Sequence, residues 1–260
     1  ARRGGRGLQT QLWRRDAELG WVVSAAHVSA PAPAVDARIW RTVGTPLVAP
    51  HGDGVLDGVG IAVKDLFELK GFALGVGNPT FLATSKPAKR TAPALEALLK
   101  AGAHVTGIAQ TDEFAYSIAG ANAHYGTPPN AAVPGALPGG SSSGPASAVA
   151  NGQADLGLGT DTAGSIRVPA SYQGLWGLRP THDAVSLDGV WPLAPTFDTV
   201  GWLTRDPATL HNAVEATLGA TLREVGFSDV RLWDWRTTEH ADMDDYSQAY
   251  LPHMDKENGR

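Results

Sequence analysis

The sequence predicts an α/β protein, a sheet covered by helices. Three neighbouring segments carry that reading. Val59-Gly-Ile-Ala-Val63 is a short apolar run of strand character that ends at Lys64-Asp65. Thr91 to Ala101 has helical spacing: Leu95, Leu98 and Leu99 share a face, Pro93 suits the first turn, Thr91 can cap it and Gly102 stops it. Val105 to Ile108 returns to strand character, so residues 91–108 form one αβ step.

Residues 1–44 read as an N-terminal leader, partly helical, with a helix and then a loop around the Pro/Ala stretch of Ala30 to Ala34. Residues 45–220 read as the core. Within it, 126–145 carry five prolines and five glycines, too many for regular structure. Ala146 to Ala150 can start a helix, Leu156 to Gly159 a short strand, and Pro207 to Leu218 a helix capped by Asp206. Residues 221–260 form an acidic aromatic tail of unknown role, with Trp233, Trp235, Tyr246 and Tyr250.

Composition narrows the function. The chain has 260 residues, 43% hydrophobic and 18% charged, enough for a substantial core. A net charge of −5 argues against nucleic acid as the main partner. No apolar run approaches the roughly 20 residues of a membrane span. Zero cysteines exclude a disulfide framework, a thiolate metal site and a cysteine nucleophile. Five arginines lie in residues 1–15 without an acid, which reads as a solvated leader. These features lead us to expect a cytoplasmic protein, with no membrane partner and with homo-oligomers allowed.

Three segments can carry chemistry. Gly139-Gly-Ser-Ser-Ser-Gly144 fits a flexible linker, or formally a nucleophile elbow on Ser142. The elbow needs a preceding strand, and Ala136-Leu-Pro-Gly-Gly140 is not one. Gly157 to Ala170 places Ser165 after a flexible run whose N–H groups can converge on an oxyanion, or else form an ordinary glycine turn. Asp161 and Arg167 in that segment are expected to brace its loop. Lys64 ends an apolar strand; exposed, it would pair with Asp65 or Glu68, and buried, it would be a neutral base. His124 or His182 with Asp161 or Asp198 would make a Ser–His–Asp site, but no spacing singles out either histidine.

Together the segments resemble the amidase signature family, from about Val59 to Asp206. The resemblance rests on Gly60-Ile-Ala-Val-Lys-Asp65, Gly139-Gly-Ser-Ser-Ser-Gly144, Gly159-Thr-Asp-Thr-Ala-Gly-Ser-Ile-Arg-Val-Pro-Ala170 and Gly174-Leu-Trp-Gly-Leu-Arg-Pro180. Ser141 and Ser165 are 24 residues apart, which also fits. Asp112-Glu-Phe-Ala-Tyr-Ser117, Asn122-Ala-His-Tyr-Gly-Thr127 and Phe197-Asp-Thr-Val-Gly-Trp202 look most like the plant-type indole-3-acetamide hydrolases.

The resemblance implies a mixed β-sheet core flanked by helices. It also implies a triad: Ser165 as nucleophile, Ser141 as bridging serine after a cis peptide bond, and Lys64 as base. The N–H groups of Thr162, Ala163, Gly164 and Ser165 would form the oxyanion hole, with Ser142, Asp161 and Arg167 in support. The reaction would cleave a small carboxamide to an acid and ammonia, with no cofactor and no metal. An ammonia-supplying subunit of an amidotransferase and a catalytically silent binding module are the rival readings. Ala163 departs from the glycine common in the family, and the chain is shorter than family members, as if truncated at the C-terminus.

Overall fold

A computed structural model describes residues 8–29 and 35–224. The strands are β1 (Leu8–Asp16), β2 (Gly20–Ser29), β3 (Trp40–Val48), β4 (Gly60–Lys64), β5 (His104–Ala109), β6 (Leu156–Asp161), β7 (Trp176–Leu178) and β8 (Thr199–Thr204). The α-helices are α1 (Pro79–Thr84), α2 (Pro93–Lys100), α3 (Ser143–Ala150), α4 (Arg167–Gln173) and α5 (Pro207–Glu224).

Six strands make a mixed sheet in the order β3-β5-β4-β6-β8-β7. The central trio β5, β4 and β6 is parallel, and every other pairing is antiparallel. The α/β expectation holds, with a mixed sheet and helices on both faces. On one face, Leu95, Leu98 and Leu99 of α2 and Leu210 and Val214 of α5 pack on Ile61, Val63, Leu156, Leu158 and Trp202. On the other, α3 and α4 cover Ala62, Ala109 and Leu203 with small side chains. The leucine stripe read from the sequence is therefore buried, as Leu95, Leu98 and Leu99 are each 0% exposed. Leu98→Ala is expected to cost about 2–5 kcal/mol of stability, read from denaturant unfolding, because the helix cannot fully collapse onto the void.

Three local expectations need correction. Within the leader, residues 8–29 form a two-stranded hairpin, β1 with β2, in place of the expected helix, and β3 starts at Trp40; the stretch from Ala30 to Ala34 lies outside the described residues. Asp16 accepts hydrogen bonds from the N–H groups of Glu18 and Leu19, and Gly20 takes φ +75°, so the chain reverses between β-forming Trp13 and Trp21. Thr91 does not cap α2: its hydroxyl accepts from the Lys70 N–H at 3.3 Å, while Ala92 holds the cap position. The Pro/Gly-rich stretch ends at Ser142, because α3 starts at Ser143. Pro145 is tolerated there since first-turn N–H groups have no helical partner anyway. Beyond the nucleophile segment, α4 runs from Arg167 to Gln173 and ends on the left-handed Gly174, φ +66°. Asp206 does cap α5, accepting from Thr209 N–H at 2.8 Å. The aromatic residues from Trp233 to Tyr250 lie outside the described residues.

Candidate active site

The parallel strands β4, β5 and β6 end on the same side of the sheet, the edge where α/β proteins place ligands. Lys64 is the last residue of β4 and is fully buried. Its Nζ donates to Ser141 Oγ at 2.9 Å and to Thr160 Oγ1 at 2.9 Å. Burial pushes its amine down to about 7, against the opposing pull of Asp112, Asp161 and Asp198. The surface ion pair does not form. Asp65 pairs instead with Arg41 at 2.9 Å, and Glu68 with Arg90 at 3.3 Å. Burial raises Asp65 to about 7, while Arg41 and the Gly75 N–H hold it lower than burial alone would.

The serine loop is a built structure and not a flexible linker. Its Gly140–Ser141 peptide bond is cis, and Ser141 and Ser142 are 0% exposed. The Ser141 carbonyl accepts from Thr111 Oγ1 at 2.9 Å and from the Asp112 N–H at 3.2 Å. Gly139 takes φ +74° with Pro169 backbone against it, so no side chain fits there. Ser142 Oγ donates to the Thr160 carbonyl at 3.3 Å, and no strand precedes it, so the elbow reading loses both its exposed serine and its strand.

Asp112, quoted only within a motif, is a second anchor of this loop. It is 1% exposed, and its carboxylate accepts from the Gly120 N–H at 2.9 Å and from Ser143 Oγ at 3.0 Å. Burial raises its carboxyl, against those hydrogen bonds and the Lys64 charge. Asp112 lies three residues past Ala109, the last residue of β5 and the register partner of Lys64, so strand order brings it to the same end of the sheet.

Ser165 lies between β6 and α4 and is 3% exposed. Its placement depends on the next residue. Ile166 fills a notch opposite three strand glycines: a Cβ on Gly159 would come within 2.9 Å of Ile166, one on Gly201 within 2.8 Å, and one on Gly177 within 3.3 Å. The Ser165 carbonyl accepts from the Ser142 N–H at 3.3 Å, which ties the two serine segments together. Lys64 and Ser141 are thus joined directly. The Ser165 hydroxyl makes no hydrogen bond among the described residues, a link that apo sites often leave open until substrate binds.

Asp161 and Arg167 brace the segment as expected. Arg167 Nε and Nη2 reach the Asp161 carboxylate at 3.1 and 2.9 Å, and the N–H groups of Gly164, Ile166 and Arg167 donate to it. Burial would raise the Asp161 carboxyl, yet these hydrogen bonds and the Arg167 charge outweigh it and hold it at about 2. That brace corrects one expectation. The Gly164 N–H, expected in the oxyanion hole, is taken by Asp161 Oδ1 at 2.9 Å. Thr162, Ala163 and Ser165 keep their N–H groups among the described residues, and Ala163 is exposed without a left-handed φ, so its methyl is tolerated. Arg179 adds a brace that had no assigned role, reaching Asp161 Oδ1 at 3.1 Å.

Beside Thr160 and Asp198 opens a cavity of about 100 Å³ with apolar walls, including Leu66, Trp191 and Leu193. The histidines belong elsewhere. His124 pairs with Glu113 at 2.9 Å, and His182 contacts Asp183 and the Pro195 carbonyl, so neither joins Asp161 or Asp198. Among the described residues, no group of three or more metal-ligating side chains is placed to hold an ion, and no helix is long and apolar enough to cross a membrane.

Comparisons with known proteins identify the family of this chain. The family model described as Amidase matches residues 43–246, beyond the Val59–Asp206 span of the motifs at both ends and into the tail where none was placed. Amidase 1 of Oryza sativa subsp. japonica is 52% identical over 163 residues, 63% of this chain and 38% of that protein. Amidase 1 of Arabidopsis thaliana is 55% identical over 155 residues, 60% of this chain and 36% of that one. A solved amidase structure superposes with a TM-score of 0.59 at 40% identity, covering 64% of this chain and 38% of the other. The chain therefore aligns with well under half the length of the relatives it matches. A family match across most of the chain, on a sheet that gathers the three motifs at one edge, makes this protein a member of the amidase family.

Proposed function

We propose that the protein hydrolyses a small carboxamide, an aryl-acetamide being the first to test, through an acyl-enzyme on Ser165. The observation that carries this reading is the buried contact of Lys64 Nζ with Ser141 Oγ at 2.9 Å. A lysine with an amine near 7 is substantially neutral at physiological pH and can accept a proton. In the proposed sequence, Lys64 takes the Ser141 proton, Ser141 takes the Ser165 proton, and Ser165 Oγ bonds to the amide carbon. The N–H groups of Thr162, Ala163 and Ser165 receive the oxyanion. The same relay returns the proton to the nitrogen as the C–N bond breaks, which releases ammonia. Water then adds to the acyl carbon, its proton passes back along the relay, and the carboxylic acid leaves with Ser165 restored. No step requires a metal or an organic cofactor.

Intact-mass measurement after fluorophosphonate treatment, with near-ultraviolet circular dichroism to verify folding, tests the reading. One adduct per chain, together with ammonia release from phenylacetamide, is the expected result. A folded protein that neither labels nor releases ammonia is instead a silent module on the amidase fold.

A further inference from the structure

The N–H groups of Thr162 and Ala163 are presented by a guanidinium behind them. Arg179 follows β7, and its Nη1 donates to two successive carbonyls, those of Asp161 and, at 3.3 Å, Thr162. The Asp161 carbonyl shares a peptide unit with the Thr162 N–H, and the Thr162 carbonyl shares one with the Ala163 N–H. In a trans peptide the C=O and N–H point in opposite directions. A donor that holds both carbonyls from one side therefore turns both N–H groups to the other. Neither N–H is taken up by another described residue. Thr199 Oγ1 supports the arrangement by donating to the same Asp161 carbonyl at 2.8 Å.

Arg179 is itself held in place. Its Nη2 donates to the Phe197 carbonyl at 2.9 Å, its Nη1 pairs with Asp161 Oδ1 at 3.1 Å, and its side chain is 22% exposed. The next residue, Asp198, receives Thr162 Oγ1 at 2.5 Å, so side chain and backbone of Thr162 are both fixed. A planar guanidinium suits this work because it offers several donors in one rigid fork.

We propose that Arg179 is the positioning residue of the oxyanion hole, aiming the Thr162 and Ala163 N–H groups by holding the carbonyls behind them. The inference rests on the amidohydrolase reading and adds to it a residue that never touches substrate. The test is the second-order rate of fluorophosphonate labelling of the full chain, since the phosphoryl oxygen gathers charge where the amide oxygen would. Loss of an oxyanion donor typically costs about 10²–10³ in rate. Arg179→Met is expected to slow labelling on the order of 10²-fold at about pH 9, where Lys64 is neutral in variant and wild type alike. Arg179→Lys, which keeps a donor, is expected to recover part of that loss, and it carries the test if Arg179→Met does not fold.

Labelling at the wild-type rate in a folded Arg179 variant overturns the inference. So does a rate that is slow at about pH 7 but returns to the wild-type value at about pH 9, which would route the effect through Lys64. A folded wild-type protein that never labels defeats the amidohydrolase reading itself, and this inference with it.

Discussion

Ser165→Ala is expected to abolish fluorophosphonate labelling and to cut amide hydrolysis on the order of 10⁶-fold, the loss typical of removing a nucleophile that acts within a unit. Stability should barely move. The hydroxyl has no hydrogen-bond partner among the described residues, so the unfolding free energy should stay within about 0.5 kcal/mol of wild type. Ser142→Ala is the control. Ser142 Oγ is buried against the Thr160 carbonyl, and its loss should leave the labelled residue unchanged. Labelling that survives Ser165→Ala and disappears in Ser142→Ala would move the nucleophile to Ser142 and end the proposed mechanism.

Lys64→Met should separate activity from stability. The rate is expected to fall by about 10²–10⁴, the usual contribution of a positioned base. In the wild type, activity should decline as pH falls through about 7, because the base must be neutral. Stability follows from the same displacement. The folded amine sits near 7 against an ordinary value of 10.5, so as pH falls the unfolded chain binds its proton first. Stability is fullest above about 10.5, declines toward about 7 at up to about 1.4 kcal/mol per pH unit, and is flat below. Lys64→Met removes that decline while keeping an apolar stem of similar length. The variant should therefore gain melting temperature relative to wild type as the buffer moves from pH 9 to pH 7. Parallel melting curves across that range would show that Lys64 is not held neutral.

The elements read correctly from sequence are those with a strong one-dimensional signature. α2 has a leucine stripe with proline at its start, α5 has an aspartate cap, and β4 and β5 are short apolar runs. β8 escaped because it is buried along its whole length, so no alternation marks it, and Gly201 interrupts it. The hairpin escaped because Leu12, Trp13 and Trp21 are half or more exposed and no buried stripe distinguishes it from a loop-bound helix. At the site, Lys64, Ser141 and Ser165 were legible because each sits in a short contiguous motif. The loss of Gly164 as an oxyanion donor was not, since it depends on the Asp161 side chain folding back on its own loop. Asp112 and Arg179 were visible as motif members, but their roles come from strand register and from which carbonyls a side chain reaches. Spacing along a chain does not encode either.

The notch that receives Ile166 gives this protein an uneven response to sequence change. Most sites fail when atoms are removed; here the vulnerable positions fail when atoms are added. Gly159, Gly177 and Gly201 lie on three different strands, and a single methyl on any of them meets Ile166 or its neighbours. Such a change leaves Lys64, Ser141 and Ser165 chemically intact while it pushes on Ile166, the residue beside the proposed nucleophile. A random library screened for folded but inactive variants should thus contain glycine-to-alanine changes far from Ser165 in sequence, which an inspection of triad residues would pass as sound.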